Sequence, residues 1–128
     1  MTFKLDLTKF AEKAGDNADL VVRKVAFEIF KSVIFMTPVD TGRARANWNF
    51  AYGNIDYSVK AKGDTSDPEI KALGLISTKV NGRNIFISNN LPYAQRLEDG
   101  YSNQAPTGMV RVTVTQFQTF IKNAVRGL

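Results

Sequence analysis

Asp40-Thr41-Gly42 is the triplet of this 128-residue sequence that most resembles a catalytic motif. In an aspartic protease such an Asp leaves a buried apolar strand, so that carboxylates from two chains share one proton. Here Thr37-Pro38-Val39 precedes the triplet behind a helical stretch and Arg43 follows it, a context that predicts a loop turn instead. A second pattern sets Arg43 and Arg45 beside Trp48, Phe50 and Tyr52. Cations interleaved with aromatics can hold phosphates while bases stack on the rings. The same pattern also describes a strand whose aromatics fill a core and whose arginines meet solvent or a partner's acidic patch. The chain has no Cys and no His, which removes disulfides, thiol nucleophiles, Cys/His zinc sites and the Ser-His-Asp triad. Acidic residues are scattered singly, and the glycines have neither Walker nor Rossmann spacing. No enzyme, metal or cofactor is expected.

These residues need elements to position them, and the composition is that of a folded chain: 44% apolar and 23% charged. The length suits one domain over residues 1–128. A net charge of +5 permits contact with nucleic acid or an acidic partner, and equally serves solubility. The first residues lack the long apolar core of a signal peptide. The greasiest stretch, Val25 to Met36, is too short to cross a bilayer, so a cytosolic protein with no membrane partner is expected.

Asp6 to Ala14 has the spacing of a short amphipathic helix that Gly15 would stop, and a long helix is predicted from about Asn17 to Met36. Nine of the twelve residues from Val25 to Met36 are apolar, leaving Lys24, Glu28, Lys31 and Ser32 on a polar stripe about 100° wide. Either the chain's own domain wraps this helix, or part of it faces another subunit. Period-two alternation predicts a strand over Asn47 to Ile55 with Trp48, Phe50 and Tyr52 on one face, a second strand over Tyr57 to Ala61, and a third over Asn84 to Asn89. Asp67-Pro68-Glu69 reads as a cap with Pro at the first helical position, opening a helix towards Val80, and Asn81-Gly82 as a turn. Pro92 to Glu98 predicts one or two helical turns. From Val110 the longer 3.6-residue period favours a C-terminal helix over a strand. The expected class is α+β: a long N-terminal helix and a C-terminal helix packed on a small, mostly antiparallel sheet.

Tyr93 to Met109 gathers aromatic, Arg and Met residues in a turn-rich segment. These types are enriched at protein interfaces, although Tyr93 and Leu97 could as well plug the core.

Two blocks carry a resemblance to a known family: Thr37-Pro-Val-Asp-Thr-Gly-Arg43-Ala-Arg-Ala-Asn-Trp48, behind the long helix, and Ile87-Ser-Asn-Asn-Leu-Pro-Tyr93-Ala-Gln-Arg-Leu-Glu98-Asp-Gly-Tyr-Ser-Asn-Gln-Ala-Pro-Thr-Gly-Met109-Val-Arg-Val-Thr113. Together they resemble the neck or tail-completion components of tailed bacteriophages, the lambdoid "gene ten" tail components related to minor tail protein Z. The resemblance implies a non-enzymatic virion protein of the head–tail junction. It implies too a ring of identical subunits there, commonly six, contacting connector, stopper, terminator or tail-tube proteins, with DNA passing through the channel and touched weakly at most. Interface residues implied are Asp40, Arg43 and Trp48 in the first block and Tyr93, Arg96, Glu98, Tyr101, Gln104 and Met109 in the second. The alternative left open by the charge is a small basic nucleic-acid-binding module.

Overall fold

A computed structural model describes residues 2–5, 18–37, 42–92 and 94. Its elements, in chain order, are β1 (Thr2–Leu5), α1 (Ala18–Met36), α2 (Arg43–Ala46), β2 (Trp48–Tyr52), α3 (Pro68–Ile76) and β3 (Ile85–Asn89). The three strands form one antiparallel sheet in the order β1-β3-β2. Helices on a small antiparallel sheet make the class α+β.

The sheet follows from alternation. In β2, Trp48 and Phe50 are buried, and in β3 Ile85 and Ile87 face the same side, because the register pairs Phe50 with Ile87 and Tyr52 with Ile85. Against that face lies α1, whose buried stripe runs Val21, Val25, Ala26, Ile29, Phe30, Val33 and Ile34. The Phe30 and Phe50 ring centroids are 5.3 Å apart. The small side chain of Ala72 lets α3 close the core beside β2. The apolar girth of α1 is thus mostly absorbed by its own domain.

Side-chain hydrogen bonds tie the helix ends to distant loops. At the start of α1, Asp19 Oδ1 accepts from the amides of Val80 (2.9 Å) and Asn81 (3.1 Å), and Arg23 Nη1 donates to the Ile76 carbonyl at 2.7 Å. At its end, Arg45 donates from Nε to the Thr37 carbonyl (2.6 Å) and from Nη2 to the Phe35 carbonyl (2.7 Å), satisfying acceptors that a helix terminus leaves open. Thr37 Oγ1 donates to the Val33 carbonyl (2.7 Å) and accepts from Trp48 Nε1 (2.8 Å), all within the core.

Several expectations shift. Thr2–Leu5 forms a strand, β1, where no strand is expected. Tyr57 to Ala61 is not a strand; it is a loop held by side chains. The helix opened by Asp67-Pro68 ends at Ile76, short of Val80. The helices expected over Asp6 to Ala14 and at the C-terminus lie outside the described residues.

Candidate functional site

The loop after β2 shapes the most distinctive surface. Asp56 receives the Ser58 amide (2.9 Å) and hydroxyl (2.6 Å) on Oδ1, an Asx-type turn that sends the chain back along the sheet. Its carbonyl accepts from Ser88 Oγ (2.7 Å), Asn90 Nδ2 (3.0 Å) and Asn49 Nδ2 (3.2 Å). Asn49 and Ser88 are cross-strand partners on the face opposite Phe50, so the loop is pinned to the sheet's second face by polar groups. Lys60 N then donates to the buried Asn47 Oδ1 at 2.8 Å. Burial works to raise the Asp56 pKa, but the two Ser58 bonds and the Lys71 ammonium at 3.1 Å outweigh it and hold the carboxyl below its usual value.

Past this loop Asp67 caps α3, its Oδ1 accepting the Glu69 amide at 2.9 Å, with Pro68 at the first helical turn. Between loop and helix lies an open cleft of about 390 Å³. Trp48, Phe50 and Ala72 floor it, and Val59, Lys60, Asp67 and Ile70 are among its walls. Around it the surface is unusually apolar: Tyr57 is 71% exposed and Ile70 70%, with Val59 and Leu73 also exposed. Ile70 and Leu73, three apart, are neighbours on the outer side of α3. On α1, Phe35 is 74% exposed, and the Arg45 guanidinium carbon lies 5.9 Å from its ring centroid. At about 100° per residue Phe35 falls within the polar stripe, between Lys24 and Glu28.

Of the residues expected to form an interface, Trp48 is only 1% exposed. Its ring fills the core and its indole N–H is spent on Thr37, so its flat faces are not free for a neighbour. Arg43 is half-buried at the start of α2, where its carbonyl accepts from Asn47 Nδ2 at 2.8 Å. Asp40, Tyr93, Arg96, Glu98, Tyr101, Gln104 and Met109 lie outside the described residues. Gly42, with φ +70°, caps α2 in the left-handed conformation, which suits the turn expected there.

The arginine–aromatic pattern resolves towards packing. Trp48 and Phe50 are core residues, Tyr52 donates its hydroxyl to the Leu75 carbonyl (3.0 Å), and Arg45 grips the end of α1. No platform for stacked bases remains in that segment. Among the described residues no group of His, Cys, Asp and Glu could hold a metal ion, and no helix is long and apolar enough to cross a membrane.

The exposed apolar residues escape sequence reasoning for a definite reason. Ile70 and Leu73 have the same helical spacing as a buried stripe, and Tyr57, Val59 and Ala61 alternate like a strand. Pattern counts cannot say which apolar stripe faces in. What fold and surface define is a small α+β domain with an apolar cleft and a separate apolar knob. Neither a protein-family model, nor a curated protein, nor a solved structure matches this chain.

Proposed function

We propose that the chain is a structural subunit of a tailed-phage neck, a tail-completion or head–tail-joining protein that works as a ring of identical copies, six by the resemblance. The exposed apolar surface carries the reading. Phe35, Tyr57, Ile70 and Leu73 are large apolar side chains on the outside, the kind of surface that subunits of an assembly cover on one another. The resemblance of the blocks at residues 37–48 and 87–113 supplies the particular assembly. In this reading the protein resides at the head–tail junction of the virion, and its neighbours are connector, stopper, terminator or tail-tube proteins.

Light scattering coupled to size exclusion, over a range of concentrations, followed by negative-stain microscopy, tests the ring. A closed ring of fixed stoichiometry is expected. Replacing Tyr101 and Met109 together by Ala should then block joining of heads to tails without unfolding the subunit, and normal infectious particles from that variant would refute the assigned contact. A monomer that retains duplex DNA strongly at physiological salt, with steep salt dependence, would overturn the assembly reading in favour of a nucleic-acid module.

A further inference from the structure

Asn81 and Gly82 make the turn that precedes β3, and this pair of residues has a covalent chemistry as well as a shape. We infer that Asn81 is a site of spontaneous modification, deamidation through a cyclic imide. The Asp19 clamp on the turn holds the reaction back, and the product keeps that clamp from closing again.

The reacting atoms are accessible. Asn81 and Gly82 are both exposed, and among the described residues neither the Asn81 carboxamide nor the Gly82 amide has a hydrogen-bond partner. A Cβ built on Gly82 would meet nothing within 4 Å, so no side chain, its own or a neighbour's, shields the nitrogen. Both φ angles are positive, +54° at Asn81 and +74° at Gly82, the conformation for which Asn-Gly is a favoured pair. Asparagine is among the thermolabile residues, and its own side chain is the electrophile nearest the following amide.

In the first step the Gly82 nitrogen bonds to Asn81 Cγ and the Cγ–Nδ2 bond breaks. The nitrogen's proton passes through solvent to Nδ2, which leaves as ammonia. Water then opens the five-membered imide. Opening at Cγ gives aspartate, and opening at the main-chain carbonyl gives isoaspartate, whose backbone runs through Cβ and is one atom longer. Overall one water enters and one ammonia leaves, with no change of oxidation state.

Ring closure swings the Gly82 nitrogen towards the Asn81 side chain, so the turn must open first. Four contacts resist that. Arg83 N donates to the Val80 carbonyl at 3.1 Å, and Asp19 Oδ1 holds the Val80 and Asn81 amides. Arg83 also donates from Nε to the Val80 carbonyl and from Nη2 to the Lys79 carbonyl, each at 2.8 Å. Asp19 is itself steadied by Arg23 Nε at 2.8 Å. After the reaction a new carboxylate stands beside Asp19, whose Oδ1 lies 3.1 Å from the Asn81 nitrogen, and like charges repel. The adjacent Arg83 offsets part of this repulsion, but not the extra backbone atom of the isoaspartyl form. Val80 is a core residue and Asp19 lies in the first turn of α1, so release of the clamp loosens both.

The test keeps the purified full-length chain in warm, mildly alkaline buffer, with trypsin digestion of timed samples beside a fresh sample digested identically. Lys79 and Arg83 bracket the site, so cleavage releases Val80-Asn81-Gly82-Arg83. That peptide should show the mass change of amide to acid ahead of every other asparagine-containing peptide. Asp19→Ala, its fold checked by circular dichroism, should modify about tenfold faster, the effect of losing a hydrogen bond to a charged acceptor. The urea-unfolded chain should be at least as fast, which tests the gate even where Asp19→Ala does not fold. Aged chain should unfold at lower urea than fresh chain, whereas Asn81→Gln, one carbon too long for the five-membered ring, should keep its midpoint over the same period. Earlier modification at another asparagine would overturn the site. Equal rates in folded and unfolded chain would overturn the gate, and an unchanged midpoint after full conversion would overturn the effect on the clamp.

Discussion

Thr37→Val isolates one buried hydrogen-bond junction at nearly constant volume. The hydroxyl of Thr37 donates to the Val33 carbonyl and accepts the Trp48 indole N–H, and both Thr37 and Trp48 are 1% exposed. The Thr37 amide cannot compensate, because it turns instead to the Ile34 carbonyl at 3.1 Å. Valine keeps the branched shape and leaves an orphaned donor and an orphaned acceptor out of reach of water, each costing about 1–3 kcal/mol. A working value of about 3 kcal/mol follows, a large part of the roughly 5–15 kcal/mol that holds a domain together. For a chain of this size it lowers the melting temperature by about 10 °C. Urea unfolding measures it, with the single Trp as the fluorescent reporter.

The decisive experiment repeats Thr37→Val in a Trp48→Phe background. There the indole donor no longer exists, so only the Val33 carbonyl is orphaned and the cost of Thr37→Val should fall to about 1 kcal/mol. The coupling between the two sites is then about 2 kcal/mol. Circular dichroism follows unfolding in both backgrounds, since one of them lacks Trp. Equal costs in the two backgrounds, within about 0.5 kcal/mol, would refute the view that this junction locks α1 to β2.

Other expectations are simpler. Asp67→Ala should cost about 1 kcal/mol by uncapping α3, visible in thermal melts, whereas Asp67→Asn should cost much less. Gly82 sits at φ +74° after Asn81 at φ +54°, so Gly82→Ala should destabilise by about 1 kcal/mol from backbone strain alone, its new Cβ meeting no neighbour. Asp56 has a lowered pKa in the fold, so its stabilising effect is fully present above the unfolded carboxyl value of about 4 and is lost as pH falls through the folded value. A carboxyl-carbon NMR titration should place Asp56 below a free Asp, and Asp56→Asn should flatten the loss of stability on acidification below about pH 4; an unshifted titration would contradict the Ser58 and Lys71 contacts.

How far the sequence discloses this fold depends on whether a signal is local or shared. The start of α3 is legible because Asp67, Pro68 and Glu69 are consecutive residues that act on one another. The shared face of Trp48 and Phe50 is legible because strand alternation is a property of neighbours. Tyr57 to Ala61 misleads because its alternation is real but its backbone is claimed at Ser58 by Asn49 and Asn90 and at Lys60 by Asn47, whose side chains take the place of a ladder partner. Those asparagines, with Asn89 donating to the Ala44 carbonyl across 45 residues, are ordinary polar letters until the fold brings their partners close. The interface reading of Trp48 fails for the same reason: an aromatic beside arginines looks alike whether Thr37 is near enough to take its N–H or not. Burial of polar groups is decided at long range, so surface-seeking and core-seeking copies of one motif diverge only in three dimensions. By the same logic Phe35 becomes informative in the fold and not before. In the sequence it is one more apolar residue in a greasy helix, and in the structure it is the most exposed of the large apolar side chains that α1 carries.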